Sequence, residues 1–223
     1  MKWVYIVAGI ALFVKMLLIA NPTGDLLLSQ QSSIVELVVQ DSGVSNAVSG
    51  IILRNRLYDT IFEVVVFTIA ILGASYLLAN EKPSCAIYQF TDRPSIILAR
   101  LGATIAALVG VELAIRGHLS PGGGFAAGVA GGTAIGLIAI TSSPQAMQDI
   151  YKQWHAATWE KVSVLVFIVL SVITLSGYEL PHGELGTLLS GGILPLLNVL
   201  VAVKVTLGSW AVMLVFIRYR GLL

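Results

Sequence analysis

The chain has 223 residues, 57% of them hydrophobic and only 11% charged. A soluble domain carries about 25% charged residues, so most of this surface must face lipid or other protein. The net charge of +1 offers no footing for nucleic acid or an acidic substrate, and the single cysteine, Cys85, excludes an internal disulfide and any multi-cysteine metal or iron–sulfur site.

Crossing about 30 Å of hydrocarbon takes about 20 apolar residues in a helix. Six runs qualify: residues 3–20, 58–79, 96–116, 122–141, 162–176 and 191–217. The expected fold is therefore an all-α integral membrane protein of about six transmembrane helices, with a long outer loop after the first. That first run resembles a secretory signal, but Lys15 interrupts it and no small-x-small cleavage site precedes Asn21, so it reads as a retained helix. The connection 21–53 contains an apolar stretch, 34–39, expected to lie along the outer surface as an amphipathic segment. The connection 80–95 mixes Glu81, Lys82, Pro83, Asp92, Arg93 and Pro94, a shift in composition that divides a two-helix module, residues 1–82, from a four-helix module, residues 83–223. The fifth run is short, with Trp159 and Tyr178 extending it to the interfaces. The last holds Pro195 behind Gly191-Gly192 and is expected to begin broken or tilted.

Lysine and arginine counts in the loops set the orientation. With the N-terminus in the cytoplasm, the inner side carries Lys2, Lys82, Arg93, Arg100, Lys152, Lys161, Arg218 and Arg220, and the outer side Arg54, Arg56 and Arg116. Both termini are then cytoplasmic, as in a multi-pass protein of the cell's inner (plasma) membrane.

Residues 112–132 read as a tight helical hairpin. The third helix runs out through Glu112 and Arg116 and the chain turns at Gly117 to Ser120. Ser120-Pro121 has the chemistry of an N-cap and first turn. Gly124, Gly128 and Gly132 then recur every fourth residue, giving another helix a strip without side chains to approach. Glycine-rich helix starts can hold phosphate, but this one lacks the Lys and Ser/Thr of a nucleotide loop, which leaves helix packing as its reading.

Charged residues inside a membrane are costly and each needs a partner. Lys15, Glu63, Glu112 and Lys204 lie within spans, with Asp59 at an edge. Groups of this kind can relay protons or bias a cation site, or simply pair helices. Glu112 and Arg116, four apart, read first as an ion pair. Asp59 and Glu63 share that spacing but are both acidic, so Arg56, Lys15 or a partner subunit must neutralise one of them. Lys15 lies near enough to a helix end to snorkel; Lys204 does not.

His118, in the tight turn, reads as a residue ordering its loop, with proton handling as the alternative. Glu179, His182 and Glu184 share an outer loop without a basic residue and form a weakly anionic mouth; their spacing matches no metal-ligand pattern. His155, between Trp154 and Trp159, reads as an interfacial anchor. No nucleophile–base pair, haem-type histidine pairing or nucleotide motif is present, so no catalysis, cofactor or metal is expected.

Arg116-Gly117-His118, then Pro121-Gly122-Gly123-Gly124-Phe125 and Gly128, resembles the RGHxxPGGGFxxG signature of the MrpB (MnhB) subunit of multisubunit Na+/H+ antiporters, shared with the matching subunit of membrane-bound hydrogenases. Leu119 and Ser120 stand where the antiporter signature commonly has Asn-Ala. The ending Leu194-Pro195-Leu196-Leu197-Asn198 with Lys204 is similar to the hydrogenase-side branch. Tyr58-Asp59-Thr60-Ile61-Phe62-Glu63 resembles the (F/Y)DTxxE motif of the two-helix piece at the MrpA C-terminus, a separate subunit, MbhE, in hydrogenases. The resemblance implies a natural fusion of an MbhE-like piece with an MrpB-like piece, acting in sodium and proton transport beside antiporter-like and small membrane subunits.

By that resemblance Asp59 and Glu63 are the first choices for ion handling, followed by Lys204, Glu112 and Lys15. The hairpin residues His118, Pro121, Gly122, Gly123, Gly124, Phe125, Gly128 and Gly132 have a packing role. Two other placements stay open: the same subunit in a redox-driven complex, such as a membrane-bound hydrogenase or complex I relative, and a structural scaffold whose buried charges only pair helices.

Overall fold

The structure, a computed structural model, describes residues 33–84, 87 and 89–220. It divides into two units, Met1–Leu37, of which only residues 33–37 are described, and Val38–Leu223. The described elements are α1 (Ile34–Ser42), α2 (Ala47–Gly50) running into a π-helical turn (Ile51–Asn55), α3 (Leu57–Leu78), α4 (Arg93–Arg116), α5 (Gly124–Ala139), α6 (Pro144–Gln153), α7 (Ala156–Leu175) and α8 (Leu194–Arg220). The fold is all-α. Helices α3, α4, α7 and α8 are long and apolar enough to cross a membrane, and α5 is a shorter apolar helix. At 1.5 Å per residue α5 spans about 24 Å. The first expected span, with Lys15, lies outside the described residues.

Local chemistry sets the helix starts. The Asp92 carboxylate accepts from the Ser95 N–H at 2.9 Å, with Pro94 in the first turn of α4. Ser143 does the same for the Ala146 N–H at 3.2 Å, ahead of Pro144 in α6. In both, a side-chain oxygen satisfies an orphan donor where proline has none to offer. His155, at φ 48°, turns the chain from α6 into α7. Helix α7 starts at Ala156, six residues before the apolar run, which places Glu160 inside it. The expected break in the last span is instead a turn ahead of it: Gly191 (φ 81°) and Gly192 (φ 58°) take left-handed conformations, and α8 is continuous from Leu194 with Pro195 in its first turn.

Helix α8 packs against α5, α7, α3 and α4. Its Leu194, Leu197, Val201 and Val205 join Leu57 and Val64 of α3 and Phe167 of α7 in one buried cluster. Nearer the other end of α8, Trp210 and Ile217 meet Met147 of α6 and Ala156 of α7, and the Tyr151 ring stands edge-on to Trp210 at 5.1 Å. Phe62, Val66 and Ile69 of α3, and Leu101, Leu108 and Val111 of α4, are exposed. Apolar faces of that kind suit lipid or a neighbouring subunit.

The hairpin forms, with one correction. Ser120 does not cap the second helix; its hydroxyl donates back to the Arg116 carbonyl at 3.2 Å. The chain continues through Gly122 (φ 151°) and Gly123 (φ 119°), and α5 begins at Gly124 without a side-chain cap. The detour needs glycine, because a Cβ on Gly122 would lie 2.5 Å from Leu113 Cδ2. The Gly124, Gly128 and Gly132 strip does form a seam, and its partner is α8 of the same chain. A Cβ at Gly124 would meet the Asn198 carbonyl oxygen at 2.5 Å, one at Gly128 would overlap the Val205 side chain, and one at Gly132 would meet Ser209 Cβ at 2.8 Å.

Candidate ion-handling site

Helix α3 begins with an acid already neutralised. The Arg56 guanidinium donates to Asp59 at 2.6 Å, three residues away in the first turn, where the helix dipole also favours a negative charge. One turn further, Glu63 is exposed on α3 and has no hydrogen-bond or ion-pair partner among the described residues. It lines a cavity of about 380 Å³ bounded by α2, the π-helical turn, α3, residues 122–126 and α8. Thr60, buried on the same helix, donates to the Ile52 carbonyl at 3.0 Å and ties α3 to the π-helical turn.

Glu112 and Arg116 pair at 3.1 Å on the exposed end of α4, each about half exposed. An exposed pair of this geometry adds little to stability.

Lys204 is 1% exposed and lies on the inward face of α8. Its ammonium forms a short ion pair with the Glu160 carboxylate of α7 and sits 5.4 Å from the centre of the Phe67 ring of α3. The Ser163 hydroxyl donates to the Glu160 carbonyl at 2.8 Å. Burial first, and the negative charge of Glu160 second, push the phenol of Tyr151 on α6 up from its ordinary value. The sequence reading missed Glu160, because Trp159-Glu160-Lys161 looked like an interfacial edge. Trp159, the expected interfacial end of that span, already precedes Glu160, so a span of about 20 residues encloses the acid, and it could have been counted among the charges within spans.

On the connections flanking the spans, Arg54 in the π-helical turn donates to Asp41 of α1 at 2.7 Å and contacts Glu179 at 2.8 Å; His182 lies 3.7 Å from Glu179. The hydrogen bond from Arg54 holds the Asp41 carboxyl below its ordinary value, and the same bond raises Arg54. The anionic mouth is thus partly neutralised: Glu179 meets a basic residue from a connection far away in the sequence. Among the described residues no group of three or more His, Cys, Asp or Glu is placed to hold a metal.

The hairpin turn is held from two sides. The Asn46 amide donates to the Gly117 and Ser120 carbonyls at 2.8 Å each, and its backbone N–H to the His118 carbonyl at 3.1 Å. The Asn198 amide donates to the Leu113 and Ala114 carbonyls at 3.1 and 2.7 Å, at the end of α4 whose carbonyls lack intrahelical partners. His118 is fully buried, and its ring nitrogens make no hydrogen bond of good geometry. Burial pushes its pKa down, against the opposing pull of the Thr187 and Leu188 backbone.

Residues 94–211, just over half of the chain, match a domain family described as related to the MnhB subunit of Na+/H+ antiporters. The chain belongs to that MnhB-related family. The matched region runs from the start of α4 into α8 and holds the hairpin, Glu160 and Lys204; Asp59 and Glu63 precede it. The MnhB-related fold recurs in a chain of the membrane-bound sulfane sulfur reductase (MBS), an archaeal respiratory membrane complex, at 23% identity and a TM-score of 0.67, over 96% of this chain and 98% of that one. It recurs in a chain of the Mrp complex from Dietzia sp. DQ12-45-1b at 17% identity and a TM-score of 0.63, over 98% of this chain and 26% of that one. No curated protein sequence matches the chain.

Proposed function

We propose that the chain is a membrane subunit of a multisubunit Mrp-type Na+/H+ antiporter assembly, contributing conduit and scaffold beside antiporter-like subunits and carrying out no catalysis of its own. The observation that carries this reading is the match of residues 94–211 to the MnhB-related family. A carboxylate without a partner among the described residues, Glu63, within a span and beside a cavity supports ion handling, since such a group is costly to keep in a membrane without use. Glu63 is the first ion-handling residue in this reading, with Asp59, Lys204, Glu112 and Lys15 around it. Residues 1–82 act as an MbhE-like piece fused to the MrpB-like piece 83–223, in the plasma membrane with both termini cytoplasmic.

A second reading, the same subunit in a redox-driven complex, has one observation in its favour. The sulfane sulfur reductase chain is matched along 98% of its length, so that complex holds a subunit of this size and fold.

Glu63→Gln in the assembled complex tests the first reading. Sodium-dependent proton movement in everted membrane vesicles is expected to fall about tenfold or more with the complex still assembled, as for loss of a group essential to transfer. Loss of assembly instead would support the scaffold alternative. The masses and absorption spectrum of the purified complex separate the two placements, since iron–sulfur absorption would favour the redox one.

A further inference from the structure

Where α3 and α8 end, a cavity of about 540 Å³ opens between them, residues 83, 84 and 87, and α6. The Ser84 N–H donates to the Arg218 carbonyl at 2.9 Å and fastens the connection after α3 to the end of α8. The exposed Arg218 side chain lines the cavity and has no ion-pair partner among the described residues; the centre of the Tyr219 ring lies 5.5 Å from its guanidinium. Gln145 and Gln148 line the cavity from α6, three apart and so on one face of that helix. Their amides make no hydrogen bond among the described residues. The lining thus offers one base, two amides and no acid.

Depth in the membrane orders these groups. Helix α8 has 27 residues, about 40 Å at 1.5 Å per residue, against about 30 Å of hydrocarbon. Its last turn therefore reaches the headgroup layer and carries Arg218 there. Leu214, one turn earlier on the same face, lies about 6 Å deeper and gives the cavity an apolar wall. On α3, Ser75 also lines the cavity, with its hydroxyl already spent on the Ile71 carbonyl at 2.9 Å. The lining changes from cationic to apolar in the direction of the bilayer centre.

We propose that this cavity binds the headgroup of an anionic phospholipid, with its phosphate on Arg218, its oxygens within reach of Gln145 and Gln148, and its first acyl carbons against Leu214. The guanidinium fork matches phosphate oxygens, and basic pockets between spans suit such headgroups. An arginine at a helix end with nothing around it would only anchor that end at the interface; the cavity and the two amides distinguish this one. At about 30 Å³ per water, the space equals on the order of eighteen waters, far more than a free phosphate displaces. The proposal requires only that α3 and α8 cross a membrane, and it is the same for a sodium-driven and a redox-driven complex.

The test reconstitutes the assembled complex in phosphatidylcholine with a trace of phosphatidylglycerol carrying a diazirine near the start of one acyl chain. After irradiation, the labelled peptides of this subunit are mapped by mass. Label is expected on α8 at or next to Leu214, displaced by excess unlabelled phosphatidylglycerol and not by added phosphatidylcholine or inorganic phosphate. Arg218→Gln is expected to lower that label about tenfold, the scale of a lost charge-assisted hydrogen bond, and Gln148→Ala about threefold, that of a neutral one. No label at this place, or label unchanged by Arg218→Gln, overturns the site. Displacement by phosphatidylcholine overturns the choice of an anionic headgroup, and displacement by inorganic phosphate overturns the choice of a lipid. Loss of another subunit from the Arg218→Gln complex would show that the arginine holds a protein partner, and would overturn the proposal as well. Sodium-linked proton movement is measured separately, so the antiporter reading can fail with the lipid site intact, and the reverse.

Discussion

Helix α8 meets its two main neighbours by opposite chemistry. Towards α5 the side chains are removed: Gly124, Gly128 and Gly132 let the helices close until Val205 and Ser209 fill the space, and Thr206 adds a hydrogen bond to the Gly128 carbonyl at 3.3 Å. Towards α7 a charge pair, Lys204 with Glu160, is set between the helices beside Ser163. In lipid, apolar burial does not by itself drive one helix onto another, so close packing and polar contacts are the available means. The glycine seam fails when anything is added, whereas the charged seam fails when either member is taken away.

The charged seam gives the largest expected effect. Lys204→Met leaves Glu160 buried without its partner, at a cost of about 3–5 kcal/mol, seen as lost folded subunit or a lowered melting temperature of the complex. Adding Glu160→Gln is expected to restore most of the stability, because a neutral pair has no charge left to compensate. If sodium-dependent proton movement returns with it, Lys204 serves packing; if stability returns without movement, the pair takes part in transport. The glycine seam comes next. Gly128→Leu forces a side chain into Val205 and should cost about 1–3 kcal/mol by overpacking, with Val205→Ala recovering part in the same melting assay.

Outside both seams, the Arg54 cluster gives the smallest effect. The pKa of Asp41 is lowered in the folded protein, so its stabilising contribution is complete above its ordinary value of 3.8 and is lost as pH falls through the lowered folded value. Asp41→Asn should remove that part of the acid dependence of the melting temperature. The exposed setting limits the change at neutral pH to under about 1 kcal/mol.

The four long spans among the described residues and the hairpin were legible because they depend on local pattern: run length and glycine spacing. The start of α5 was misread for a reason equally local. Ser120-Pro121 has the composition of a helix start, but the Leu113 side chain excludes a Cβ at Gly122 and directs the chain through two positive-φ glycines first. The Glu112–Arg116 pair could be read from spacing, whereas Glu160 with Lys204 and Arg54 with Glu179 depend on how helices and connections far apart in sequence are set against each other. Periodicity carries no such register. The cavity beside Glu63 was illegible too, since Ser49, which lines it, looks like one more serine in a connection until the π-helical turn and the hairpin close around it.

Asn46 stands 71 residues before Gly117, whose carbonyl it holds. With both on one polypeptide, closing that clasp is a unimolecular event governed by effective concentration, of the order of millimolar for tethered partners. Were the segment bearing Asn46 supplied by a separate subunit, the same three hydrogen bonds would have to form at whatever density that subunit reached in the membrane. Chain continuity thus makes occupancy of the clasp independent of expression level, and the geometry of the turn is settled before any other subunit arrives.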